Sequence, residues 1–267
     1  MDRGIKAALG IFIFSYLVRV VDIFLLNSPA HWYSIIFSKA IPLIALFYIL
    51  HYVEKVGLGY IGLSRRDFMK NILLGLVLLL LTLGVNFLPD TLLYTVYRLP
   101  FRTPYFYFGL GTAYYFFFCV VNGFMEEGVF RGYMQRKFYH LGKWNAIFIQ
   151  AILFGLWHIA WTFYNFYSFS TGWMVGLSYV LEYTISYVFF TIIFGIIMGY
   201  AYLKTNSLWA PVLTHTFYNF FLSFFLFNES RVAGLIKFLG YPLMAAICLL
   251  SIRFLTKKMN IKEKEEA

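Results

Sequence analysis

Glu126 and Glu127 stand side by side at the end of an apolar run, "YYFFFCVVNGFMEEGVFR", with Arg131 four residues after the second. Two later apolar runs are broken in the same way, one by "FGLWH" ending at His158 and one by "HTFYN" holding His215 and Asn219. Glu127 to Arg131, Phe154 to His158 and His215 to Asn219 are each spaced i,i+4, so each pair lies on one face of a helix. Two carboxylates, two imidazoles and a carboxamide are the inventory of a hydrolytic site: groups that take a proton from water and groups that donate to an oxyanion. An ionisable side chain at the centre of a membrane span costs about 2.5 to 3.5 kcal/mol on insertion scales, so each of these groups needs a partner, water or a function. Singly, a glutamate–arginine pair reads as a clamp and a membrane histidine as a hydrogen-bonding residue. Six together at one depth read as a site.

The elements that must position them are membrane helices. Of 267 residues 61% are hydrophobic and 13% charged, and the apolar residues come in long blocks. The mean hydropathy of +0.72 and that block pattern exclude a water-soluble enzyme. The expectation is an all-α polytopic transmembrane helical bundle of about eight helices, near 5–26, 33–53, 71–88, 107–135, 144–163, 174–203, 207–227 and 233–255. It forms a single integral-membrane domain over 1–267, with a catalytic core over 109–227. The three prolines of "LPDTLLYTVYRLPFRTPYF" predict a loop with a short interfacial segment between the third and fourth spans.

The net charge of +10 forms no continuous stripe, so no nucleic-acid partner is expected; the basic residues sit between apolar blocks and set topology instead. With the N-terminus inside, fifteen Lys/Arg fall in cytoplasmic segments against four outside, a bias that holds for an even number of spans and places both termini in the cytoplasm. Counted from Arg136, Lys143 and Lys204 as cytoplasmic ends, Glu126 lies ten residues in, His158 fifteen and His215 eleven. At helical rise these are depths of roughly 15, 22 and 16 Å, within the middle third of the bilayer.

Other polar residues have structural explanations. Arg19 and Asp22 are i,i+3 and are expected to neutralise one another, Gly195 and Gly199 make a G-x-x-x-G packing face, and Glu182 has no evident partner. Cys119 and Cys248 lie in apolar runs and predict no disulfide.

"EEGVFR", "FGLWH" and "HTFYN", in that order on successive helices, resemble the signature of the CPBP family, the CAAX proteases and bacteriocin-processing enzymes also called the Abi family. The run "FGIIMGYAYLKTNSLWAPVLTHTFYN" resembles the family's approach to its third motif. The resemblance implies an intramembrane endopeptidase that activates water with glutamate and histidine. Glu126 is then the base, His158 its partner on the water, His215 and Asn219 the oxyanion donors, and Glu127 an orienting group held by Arg131; the two glutamate roles can be exchanged. No metal or other cofactor is required for this chemistry, with zinc on Glu127, His158 and His215 as the alternative. The implied partners are membrane lipid and a peptide or lipidated-protein substrate, and the implied location is the cell membrane. A non-catalytic bacteriocin-immunity or binding member, or a proton-coupled transporter, is the rival reading; the absence of inverted repeats counts against the transporter.

Overall fold

In hydrocarbon each backbone N–H and C=O must be satisfied within its own segment, so apolar blocks of this length become helices. A computed structural model describes residues 2–26, 37–97, 110–168, 173–224 and 231–261. Eight helices follow in chain order: α1 (Arg3–Val20), α2 (Phe37–Tyr48), α3 (Phe68–Tyr97), α4 (Leu110–Glu127), α5 (Lys143–Ser168), α6 (Trp173–Thr205), α7 (Trp209–Phe224) and α8 (Arg231–Lys258). No strand occurs among the described residues. The protein is an all-helical integral membrane protein, as its sequence predicts, and five segments are long and apolar enough by themselves to cross a membrane. Segments of α4 and α7 are not among those five, and these are the helices that carry Glu126, Glu127 and His215.

Three departures from regular α-helix matter. α1 and α2 end in π-helical turns, Val21–Leu25 and Ile49–Val53, and α4 runs on into a π-helical stretch, Gly128–Gln135, whose residues are all buried. Such wider turns recur at functional sites because they re-aim the side chains around them.

Two expectations need correction. The loop predicted after residue 88 does not begin there, because α3 continues through Pro89 to Tyr97. Thr91 and Thr95 donate their hydroxyls to the carbonyls four residues back, Phe87 and Thr91, each at 2.8 Å, as threonines inside a helix commonly do. Arg19 and Asp22 are both buried but do not pair. The winding changes at Val21, Asp22 Oδ2 accepts from the Ser38 N–H at 3.0 Å, and the Arg19 guanidinium lies 4.6 Å over the Trp157 ring. Arg98, Arg102, Lys262, Lys264 and the side chain of Glu182 lie outside the described residues.

Helix starts and helix ends alternate at one face of the bundle, as successive antiparallel helices require. Asp2 before α1 lies 3.5 Å from His140 before α5, and Glu54 after α2 pairs with Lys137 after α4 at 2.8 Å. Arg136 donates to Asn206 Oδ1 after α6 at 2.7 Å, and the Leu208 N–H before α7 donates to Gly62 O before α3 at 3.1 Å. The Glu54 carboxyl, pushed up by partial burial, is nevertheless held below the usual carboxylate range by Lys137 and the Tyr133 hydroxyl.

Candidate active site

Two close helix approaches build the site. On α4, a Cβ placed at Gly123 would lie 2.4 Å from Thr216 Oγ1 and 3.2 Å from the Val212 carbonyl, so only glycine lets α4 come this near α7. That approach lies one turn before Glu126 and Glu127 and beside His215. On α6, Gly195 packs with its would-be Cβ 3.0 Å from Ala151 Cα, and Gln150 Nε2 donates to Gly195 O at 2.9 Å. The G-x-x-x-G face is therefore used as expected, against α5, and it fixes the helix that carries His158.

Glu127 Oε1 lies 2.6 Å from His215 Nδ1 and 3.2 Å from an Arg131 guanidinium nitrogen. The other nitrogen of the same imidazole, Nε2, is 3.5 Å from Glu126 Oε2. His158 approaches that same oxygen with its Nε2 at 3.9 Å, from a third helix. Its Nδ1–H donates to the Phe154 carbonyl at 2.7 Å, which leaves Nε2 as the nitrogen facing the carboxylate. Phe154 also carries the Arg131 guanidinium 4.2 Å above its ring, and meets His215 edge-on with centroids 6.0 Å apart. One residue thus supports three members of the group. Glu126, Glu127, Arg131, His158 and His215 are all buried, at 1%, 0%, 0%, 7% and 5% exposure, so the cluster is shielded from bulk solvent.

Five of the six residues singled out by spacing therefore converge. Asn219, half-buried, sits one turn beyond His215 on α7, where its backbone carbonyl accepts from the Tyr115 hydroxyl at 3.4 Å.

Three further residues belong to the cluster and were not part of the sequence reading of it. The Lys39 ammonium on α2 binds Glu126 Oε1, and the Trp157 indole N–H donates to the same oxygen at 3.1 Å. Lys39 and Arg19 lie over the Trp157 ring, at 5.2 and 4.6 Å. A signal existed: Arg19, Lys39 and Arg131 are among the basic residues that fall inside apolar blocks and not between them. Lys39, three residues before Pro42 in "FSKAIPLI", reads as a span-edge lysine until the fold buries it.

The zinc set Glu127, His158 and His215 is not gathered around one point here. Glu127 faces Arg131 and the Nδ1 of His215, whereas His158 and the Nε2 of His215 face Glu126, whose other oxygen is taken by Lys39. Among the described residues no group of three His, Cys, Asp or Glu side chains is disposed to hold a metal.

Fold and site together define an integral membrane protein with a buried glutamate–histidine cluster on three consecutive-motif helices. Residues 108–221 match the family model described as Type II CAAX prenyl endopeptidase Rce1-like, which shows the CPBP resemblance read from the motifs over that segment. No curated protein and no solved structure matches the chain. The matched segment holds Glu126, Glu127, Arg131, His158, His215 and Asn219; α1, α2, α3 and α8 lie outside it.

Proposed function

We propose that the protein is an intramembrane endopeptidase of the CAAX-protease type, hydrolysing a peptide bond of a membrane-associated peptide or lipidated protein in the cell membrane. The observation that carries the reading is the convergence of Glu126 Oε2 with the Nε2 atoms of His215 and His158, at 3.5 and 3.9 Å, from three helices. A water seated among these atoms has a carboxylate oxygen to take its proton and an imidazole nitrogen to orient it.

In the proposed sequence Glu126 removes a proton from the water as its oxygen adds to the scissile carbonyl carbon. The resulting oxyanion accepts hydrogen bonds from His215 and Asn219. Glu127, 2.6 Å from His215 Nδ1, orients that ring and supplies countercharge when the ring carries two protons, while Arg131 holds Glu127. The C–N bond breaks as the proton held on Glu126 passes to the leaving amine, giving a carboxylic acid and an amine and regenerating the carboxylate. His158, fixed by its bond to Phe154 O, keeps the water on the Glu126 side. Glu126 is assigned the base role because its Oε2 faces the Nε2 atoms of both histidines, whereas Glu127 turns its Oε1 to His215 Nδ1 and Arg131. All steps use protein side chains and water.

The test is cleavage of a prenylated C-terminal peptide, carrying a fluorophore and a quencher on either side of the scissile bond, by the purified full chain in proteoliposomes. Cleavage by wild type and its loss in Glu126→Gln are expected. Equal cleavage by the two proteins overturns the assignment of the base. No cleavage of prenylated or unprenylated membrane peptides by wild type overturns the peptidase reading.

A further inference from the structure

α1 and α2 lie outside the segment that matches the family model, yet each sends a cation into the site. Lys39 is 4% exposed and Arg19 2%. A buried ammonium on a membrane helix is among the least favourable placements a lysine can have, and it persists here against one carboxylate oxygen. Glu126 Oε1 receives two donors, the Lys39 ammonium and the Trp157 indole N–H, while no protein hydrogen bond among the described residues reaches Oε2.

The terminal torsion of a glutamate is broad and roughly two-fold, so an unrestrained carboxylate would sweep its plane through many orientations. Two donors on one oxygen remove that freedom. We infer that Lys39, together with Trp157, is a positioning residue: it clamps Glu126 Oε1 so that Oε2 alone is presented between His158 and His215. The clamp completes the site with helices from outside the matched segment. The charged and titratable groups around Glu126 are Lys39 from α2, Arg19 and Asp22 from the α1 end, His158 from α5, Tyr187 from α6, His215 from α7, and Glu127 and Arg131 on its own helix. Of the cations, Lys39 is the one in direct contact with the carboxylate; Arg19 acts one layer out, stacked on the indole that shares the task.

The catalytic part of this inference rests on the peptidase reading, so its test has an arm that needs no catalysis. In proteoliposomes with the quenched prenylated peptide, Lys39→Met keeps the aliphatic length and loses the ammonium. A misaligned base should lower kcat on the order of 10²-fold, the effect of a misplacement near 1 Å, with KM within about twofold. Lys39→Arg should retain more activity than Lys39→Met. Lys39→Ala should recover activity with ethylammonium and not with ethanol of similar size. A Lys39→Met kcat within twofold of wild type, or rescue by ethanol as good as rescue by the amine, overturns the clamp.

Thermal unfolding in detergent supplies the second arm. Lys39→Met should lower Tm in the wild-type background and much less in Glu126→Gln, where the carboxylate charge is already gone. Equal Tm losses in both backgrounds overturn the pairing. If wild type cleaves no peptide but the two residues are coupled in Tm, the peptidase reading fails while the clamp stands.

Discussion

Glu127 Oε1 and His215 Nδ1 lie 2.6 Å apart, a contact between α4 and α7 that turns the opposite edge of the imidazole towards Glu126. Adjacent glutamates on a helix point about 100° apart, so they cannot do the same work. Here one sets the ring and the other faces it.

Replacing Glu126 by Gln preserves size and most hydrogen bonding but removes the proton acceptor. Cleavage should fall by the 10² to 10⁴ of a lost general base, with little change in detergent Tm. A near wild-type rate would move the base to Glu127.

Arg131→Ala should behave differently. It strips the partner from Glu127 at zero exposure on both side chains. Breaking a buried pair this way costs about 3 to 5 kcal/mol, so loss of folded protein should accompany loss of activity. Yield and thermal stability in detergent, read beside cleavage, separate this from the Glu126 variant.

Gly123→Leu tests whether the α4–α7 approach sets the catalytic distance. A Cβ there meets Thr216 Oγ1 at 2.4 Å, and the larger side chain must push the helices apart. Activity should be lost with the motif residues unchanged, and Thr216→Ala in the same chain should restore less than the full rate, because the Val212 carbonyl, 3.2 Å from the added Cβ, remains. Full activity in Gly123→Leu would show that the distance is set elsewhere.

Exhaustive chelation separates the two chemistries considered for these groups. Purified enzyme stripped of zinc should keep its rate, since Lys39 holds one oxygen of Glu126 and Glu127 is turned to Arg131. Activity that disappears with stoichiometric zinc and returns on its addition would show that the residues rearrange around a metal.

Cysteine labelling in intact cells checks orientation. The shared face that carries Glu54, Arg136 to His140 and Asn206 should be labelled from the cytoplasm, as should the end of α8. Labelling of that face from outside would invert the bundle.

Much of the site was legible in the sequence, because i,i+4 spacing and distance from basic span ends are one-dimensional quantities. Glu126, His158 and His215 share a depth on that count and meet in the structure. Which glutamate faces the Nε2 atoms of both histidines was not legible, since it depends on the rotation of α4 against α7 that Gly123 permits. Lys39 stayed hidden for a related reason: its partner is 87 residues away, and no local spacing connects them. Likewise, π-helical winding in Gly128–Gln135 leaves no periodicity to read, because all eight of its residues are buried. The continuation of α3 past Pro89 was not legible because proline reads as a breaker in a sequence, whereas a membrane helix tolerates it.

The 87-residue interval between Lys39 and Glu126 also has a duration. At about 5 to 20 residues per second of synthesis, the ammonium on α2 is made roughly 4 to 17 s before the carboxylate that neutralises it. Throughout that window Lys39 lacks its Glu126 partner, so the cost of seating its charge at final depth falls only when α4 arrives. A chain truncated before Glu126 would remain marked by that stranded charge, visible to whatever in the membrane removes unfinished proteins.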